Sequence, residues 1–101
     1  MKVHPDPDFP IVVTPGKCFT ISFESIPSAG YTWLIEYDSK MIDFHIPKMF
    51  IFDPSKIGGI GQEIFEFEAK QPGVTQIKAK YQREWEKTPL ETKIFRIRIL
   101  Q

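Results

Sequence analysis

Residues able to do chemistry are few and scattered in this chain of 101 residues. Nucleophilic catalysis would need the single cysteine, Cys18, beside a base such as His45. The two lie on separate predicted strands and neither stands in an activating motif, which argues against such a pair. Asp43 and His45 share one strand face, but two ligands without a nearby third are more typical of surface polar groups than of a metal site. We therefore expect no catalytic residue, no metal and no cofactor.

A pair of glutamates offers a second kind of chemistry. Glu66 and Glu68 share a strand face and lie about 7 Å apart at a rise of roughly 3.4 Å per residue. That separation falls within the range of paired glycosidase carboxylates. A strand face in contact with water explains the pair better, so we expect both carboxylates to be solvated.

A glycine-rich stretch is formed by Gly58, Gly59, Ile60 and Gly61. Glycines let backbone amides approach an anion, as in phosphate-binding loops. Here no Gly-Lys-Ser/Thr follows and the next element is a predicted strand, whereas dinucleotide sites require a helix. A hairpin loop that needs positive φ angles is the simpler interpretation. Three glycines exceed what a turn needs, which leaves open a backbone that lies close to a partner.

Trp85 stands between charged residues, in the sequence Arg83-Glu84-Trp85-Glu86. One interpretation is an indole folded back over the end of the domain, because tryptophan is highly buried on average. The charged neighbours favour a rim in contact with water, where tryptophan is typical of an interface anchor. Trp33 shares one strand face with Ile35 and Tyr37, opposite Thr32, Leu34 and Glu36, and is predicted to lie in the core.

Apolar alternation with period two predicts the elements that position these residues. The apolar faces comprise Phe19, Ile21 and Phe23; Trp33, Ile35 and Tyr37; Phe65, Phe67 and Ala69; Ile77, Ala79 and Tyr81; and Phe95, Ile97 and Ile99. Shorter candidates are residues 11–13 and 41–52, where Pro47 predicts an edge strand or a break. Turn residues separate the runs, and no window shows helical periodicity. The pattern predicts an all-β, immunoglobulin-like antiparallel β-sandwich of seven to eight strands.

Composition limits the classes of partner. Thirteen basic and thirteen acidic side chains cancel, so no net field favours nucleic acid or an anionic membrane. One cysteine excludes an internal disulfide. The length predicts a single domain, residues 9–101, after a proline-spaced flexible tail, residues 1–8. We expect a monomer whose choice of partner depends on shape.

The chain also lacks an apolar stretch long enough for a signal-peptide core or a membrane span. This predicts a cytoplasmic protein. The sequence leaves open a secreted or vesicular mature form from which a leader has been removed.

Three segments, taken in their order along the chain, form a more specific motif than any one of them alone. They are Ile26-Pro27-Ser28-Ala29-Gly30-Tyr31-Thr32-Trp33, the glycine stretch 58–61 before an aromatic strand, and Arg83-Glu84-Trp85-Glu86. Over residues 11–100 the chain resembles the chagasin-like inhibitors of papain-family cysteine proteases, whose corresponding motifs are Asn-Pro-Thr-Thr-Gly-Tyr-x-Trp, a glycine-rich loop and Arg-Pro-Trp-Glu. The chain departs from these motifs at Ile26, at Ser28-Ala29 and at Glu84, which stand where the family has asparagine, two threonines and proline.

The resemblance implies a function and a binding site. Three loops at one end of the sandwich would enter the active-site cleft of a papain-family cysteine protease, endogenous or host, and inhibit it reversibly and tightly. The implied protease-binding residues are Pro27, Ser28, Ala29, Gly30, Tyr31, Gly58, Gly59, Ile60, Gly61, Arg83, Glu84 and Trp85. The alternative is a non-inhibitory immunoglobulin-like adhesion or receptor module that binds another protein or a carbohydrate through the same loops.

Overall fold

The computed structural model describes residues 10–101, apart from the side chain of Pro47, and the predicted tail (residues 1–8) lies outside this range. Within it the chain forms seven strands: β1 (Ile11–Val13), β2 (Cys18–Ser25), β3 (Tyr31–Tyr37), β4 (Ile42–Phe52), β5 (Gly61–Ala69), β6 (Gly73–Arg83) and β7 (Glu91–Ile99). A 3-10 turn (Pro27–Ala29) separates β2 from β3. No helix in the described range is long and apolar enough to span a membrane.

The strands form two sheets packed as a sandwich. One has the order β2-β5-β4 and the other β1-β7-β6-β3. The pairings are antiparallel except that of β1 with β7, which is parallel, with Ile11 opposite Ile97. The short turn at residues 14–17 carries the chain from one sheet to the other, so β1 cannot pair with β2. The predicted β-sandwich is confirmed, with this one parallel pairing added.

The core lies between the two sheets, where the alternating apolar side chains of facing strands meet. Its buried members are Ile11, Phe19, Ile21, Phe23, Trp33, Ile42, Phe65, Phe67, Ala69, Ile77, Ala79, Phe95, Ile97 and Ile99. The rings of Phe23 and Trp33 stack with centroids 4.3 Å apart and so join the sheets. Trp33 also donates its indole N–H to the carbonyl of Glu24 at 3.1 Å. The prediction that Trp33 is a core residue is confirmed.

β4 is an edge strand, as the proline at position 47 predicted. It continues from Ile42 to Phe52 without interruption, but its register against β5 shifts between Phe44 and Ile46 and again between Ile46 and Met49. An edge position tolerates a residue that has no N–H to donate, and irregular pairing discourages the addition of further strands.

Glu66 does not have the environment that the sequence predicted. It is only 5% exposed and Glu68 is half-buried, although both lie on the outer face of their sheet. A small hollow around Glu66 is lined by Thr20, Ile46, Met49, Ile64 and Glu66 itself. The expectation of a solvated Glu66 is wrong because bulky side chains from the neighbouring strand β4 shield it, and alternation within one strand does not reveal its neighbours.

Candidate functional site

Three connections meet at one end of the sandwich: the central loop (residues 26–30), the glycine loop (residues 53–60) and the third loop (residues 84–90). The Ser28 hydroxyl of the central loop donates to the Gly58 carbonyl at 3.4 Å. Arg83, the last residue of β6, donates its Nε–H to the Ala29 carbonyl at 3.3 Å. The fold thus brings together the three segments that the sequence singled out.

The central loop is a tight turn with a fixed backbone. Proline at the first position supplies the φ angle that a turn of helix needs, and the Gly30 N–H donates to the Pro27 carbonyl at 2.9 Å. Gly30 ends the turn with φ of 84°, a left-handed conformation that favours glycine. The Ile26 N–H donates to the Tyr81 hydroxyl at 3.2 Å and ties the turn to β6. Ser28 and Ala29 are left exposed at its tip.

The glycine loop is closed at its base, and its tip contacts the central loop through the bond from Ser28 to Gly58. The Asp53 N–H donates to the Ile60 carbonyl at 3.0 Å. The Asp53 carboxylate accepts hydrogen bonds from the Ser55 hydroxyl at 2.6 Å and the Ser55 N–H at 2.9 Å. These bonds lower the pKa of Asp53 below its ordinary value. Gly58 and Gly59 both adopt positive φ angles, of 94° and 74°, so the glycines here have a conformational role.

Two residues of this region differ from what the sequence suggested. Gly61 is buried in β5, where an added Cβ would lie 2.3 Å from the Ile51 carbonyl oxygen, so it allows β4 and β5 to approach closely. Ile57, at the loop tip, is 96% exposed and was missed by sequence reasoning. A β-branched apolar residue directly before a pair of glycines is the signal that would have found it. Ile60 is half-buried at the base of the loop.

The third loop presents Trp85 to solvent. This residue is 73% exposed, so the prediction of a rim position is confirmed and that of a folded-back indole is wrong. A methyl group added at Gly30 would lie 3.4 Å from the indole, so a larger residue there would press against Trp85. The Arg83 guanidinium lies 4.7 Å from the ring centroid of Tyr31 and 5.9 Å from that of Trp85. Arg83 therefore holds the central and third loops together.

An open cleft of about 560 Å³ separates these two loops from β4. Its lining is Pro27, Gly30, Tyr31, Thr32, Lys48, Phe50, Glu63, Glu84 and Trp85. Glu63, which sequence reasoning missed, is 1% exposed and forms an ion pair with Lys48 at 2.9 Å. Its position could have been found from the alternation, because Glu63 is in phase with the apolar face of Phe65 and Phe67. A charge on that face predicts a buried partner.

The residues considered for catalysis are not assembled for it. Cys18 is exposed at the start of β2, and desolvation, followed by the charges of Glu66 and Glu68, raises the pKa of its thiol. A raised pKa disfavours the reactive thiolate. Asp43 and His45 are exposed on β4. Across residues 10–101 no three His, Cys, Asp or Glu side chains are grouped so that they could hold a metal ion.

Comparison with models of protein families decides the assignment. Residues 12–99 match the family described as Chagasin family peptidase inhibitor I42. The chain belongs to the chagasin family of peptidase inhibitors. This confirms the resemblance seen in the sequence and the prediction that the chain is not an enzyme. A search of curated proteins gives no match.

Solved structures include folds similar to this one. The crystal structure of the cysteine protease inhibitor EhICP2 from Entamoeba histolytica is 24% identical with a TM-score of 0.78, and the match covers 96% of this chain and 95% of that one. The solution structure of Amebosin is 17% identical with a TM-score of 0.75, covering 97% and 94%. At these identities the likeness establishes the fold.

Proposed function

We propose that this chagasin-family protein is a reversible, tight-binding inhibitor of papain-like cysteine proteases, and that its three loops fill the active-site cleft. The observation that carries the proposal is the convergence of the central, glycine and third loops at one end of the sandwich, joined by the bonds from Ser28 to Gly58 and from Arg83 to Ala29. The similar structure of EhICP2, described as a cysteine protease inhibitor, supports the same class of target.

The central loop has the shape that a plug requires. A papain-type cleft binds extended main chain on both sides of its nucleophilic cysteine, so a wedge that offers no carbonyl in attacking geometry can occupy it without being cut. Ser28 and Ala29 are small and exposed at the tip, which allows close approach to a recessed nucleophile. The turn is already fixed by Pro27 and Gly30, and a preformed loop lowers the ordering cost of binding.

The flanking loops supply contacts on the two walls of the cleft. Trp85 has most of its surface free to be covered by a partner, and tryptophan is enriched among residues that dominate binding energy. On the other side Gly58 is exposed and Gly59 is half-buried, and the exposed Ile57 adds an apolar side chain beside them. The free protein is expected to act as a monomer, since a single loop end is enough to fill one cleft.

Fluorogenic peptide hydrolysis tests the proposal directly. Folded protein, with its monomeric state checked by size exclusion, is titrated against papain and against a cathepsin L-type enzyme, with trypsin as the serine protease control. We expect competitive, reversible inhibition of both cysteine proteases and none of trypsin. No inhibition at micromolar concentration would contradict the proposal and favour an adhesion or receptor module.

A further inference from the structure

Glu63 is a buried charged side chain that lines the cleft between the loops and β4. It is 1% exposed, and its carboxylate oxygen Oε1 lies 2.9 Å from Lys48 Nζ. The same oxygen accepts hydrogen bonds at 3.3 Å from the Thr32 hydroxyl and from the Trp33 backbone N–H. Lys48 also donates to the Thr32 hydroxyl, which closes the group into one connected network. Every partner of this carboxylate therefore comes from a strand that leads to the loop end.

The network joins the two sheets at their edges. β3 is the edge strand of the four-stranded sheet, and β4 is an edge strand of the three-stranded sheet. Within the described range, the free edge of β3 has no neighbouring strand to accept the Trp33 N–H. This N–H donates instead to the Glu63 side chain of the other sheet. Lys48, on β4, closes the same side of the sandwich. The hydrogen bond from Lys48 to Thr32 thus links the edge strands β4 and β3, which no backbone ladder of residues 10–101 connects, and Glu63 on the central strand β5 binds both residues.

The position of the network in the chain relates it to the loops. β3 begins at Tyr31, directly after the central loop, and β5 begins at Gly61, directly after the glycine loop. Thr32 and Trp33 are the second and third residues of β3, and Glu63 is the third residue of β5. The carboxylate consequently fixes the starting points of two strands relative to one another, and with them the two loops.

We propose that Glu63 and Lys48 are positioning residues, which hold the central loop and the glycine loop at the separation that protease binding requires. This inference rests on the proposed function. Only the Glu63 end of the ion pair is buried, since the Lys48 side chain is 44% exposed, and an ion pair in contact with water contributes little to stability. The pair instead fixes the positions of the strands that it contacts, because hydrogen bonds to a carboxylate are formed from defined directions. In this chain those directions lead to β3 and β4.

The kinetics expected of a positioning residue differ from those of a contact residue. Without the pair, a smaller fraction of free molecules has both loops in the binding arrangement. The apparent dissociation constant rises in inverse proportion to that fraction. Once bound, the loops are held by the enzyme, so the loss is expected in the association rate. A residue that touches the enzyme would instead raise the dissociation rate when it is replaced.

The test compares Glu63→Gln and Lys48→Met with the parent protein in stopped-flow binding to papain, at a temperature where each variant is fully folded. Glu63→Gln keeps the shape of the side chain and loses its charge. We expect the inhibition constant of each variant to rise about tenfold. This rise should come from a slower association rate, with the dissociation rate unchanged. Thr32→Val, which removes one hydrogen bond at nearly constant shape, gives a third reading if Glu63→Gln does not fold.

The matched control is Ile42→Val at the opposite end of β4. Ile42 is fully buried, so the loss of a methylene group lowers thermal stability, but the residue lies far from the loops beside Ala69. We expect it to bind papain at the parent's rate. If Ile42→Val slows association as much as Glu63→Gln, the effect is one of general stability and the proposal is wrong. An unchanged inhibition constant in both network variants, or a rise in the dissociation rate alone, would also overturn it.

Amide hydrogen exchange separates failure of this inference from failure of the proposed function. In Glu63→Gln we expect about tenfold faster exchange of the Trp33 N–H and of amides in the central loop, with exchange in β7 unchanged. If the parent protein does not inhibit papain, the proposed function fails, and the exchange measurement judges the positioning role by itself. Unchanged exchange at Trp33 would refute that role.

Discussion

Trp85→Ala is the substitution whose two effects the structure separates most clearly. Trp85 is 73% exposed, so about a quarter of the residue is covered in the free protein. Truncation of a fully buried tryptophan costs about 3 to 5 kcal/mol, so a quarter of that burial predicts a loss in unfolding free energy of about 1 kcal/mol. Denaturant unfolding of the parent and the variant measures this quantity.

The effect on binding should be larger. A tryptophan offers about 250 Å² of surface, so the part still free in this protein amounts to about 180 Å². At about 25 cal/mol per Å², complete coverage by an enzyme would be worth at most about 4.5 kcal/mol. Imperfect packing brings the expected loss to about 2 kcal/mol or more, which is a rise of roughly thirtyfold in the inhibition constant for papain.

The control for this prediction is Val74→Ala. Val74 is 77% exposed but lies at the start of β6, at the opposite end of the sandwich from the loops. It should change neither stability nor inhibition appreciably. An inhibition constant within about threefold of the parent for Trp85→Ala, with a stability loss near 3 kcal/mol, would contradict an anchor role and make Trp85 a structural residue.

Three further predictions concern the other loops and the thiol. Ala29→Trp should abolish inhibition of papain while leaving thermal unfolding nearly unchanged, because Ala29 is exposed at the tip of the central loop; full inhibition by this variant would make the loop peripheral. Glu84→Pro should tighten binding by up to about fivefold if the backbone suits proline, since rigidity worth about 1 kcal/mol is gained before binding; unchanged affinity in papain titrations at two salt concentrations would place Glu84 outside the interface. Cys18→Ser should inhibit as well as the parent, because the raised pKa of the thiol and its position on β2 leave it no part in a wedge mechanism; a loss of inhibition would indicate mixed-disulfide chemistry.

A fifth prediction concerns pH. Hydrogen bonds from Ser55 lower the pKa of Asp53 below its ordinary value of 3.8. A group whose pKa is lowered on folding stabilises the fold above its unfolded-state pKa, and the contribution is lost as the pH falls through the folded-state value. The turn at Asp53 should therefore persist at pH 5. An NMR titration of the Ser55 amide should show a midpoint below 3.8; a midpoint at or above that value would contradict the assignment.

The strands were predictable because alternation reports directly on a two-sided sheet. Phe19, Ile21 and Phe23 lie on the buried face of β2 as their spacing requires, and Pro47 correctly placed β4 at an edge. Strand pairing and the burial of outer-face side chains depend on neighbouring strands, and alternation within one strand does not predict them. The parallel pairing of β1 depends on where the turn at residues 14–17 directs the chain, and the burial of Glu66 depends on side chains from β4.

The sequence predicted which segments form the candidate site, but not the contacts between strands that hold these segments in place. Glycine, proline and a tryptophan between charges identified the three segments, and the structure brings these segments together at one end. The role of Gly61 required the position of Ile51 on the adjacent strand, and the exposure of Ile57 required the path of the loop. The Glu63 and Lys48 pair joins residues from different strands, so only the register of β4 against β5 brings the two charges together.

The central claim is that the loop end occupies the active-site cleft of a papain-like enzyme. Calorimetric titration into papain, compared with papain whose cleft is filled by a covalently bound peptidyl chloromethyl ketone, tests it most directly. We expect one inhibitor bound per molecule of free papain and no binding to the blocked enzyme. Equal binding to both forms, or no binding to free papain by the folded protein, would contradict it.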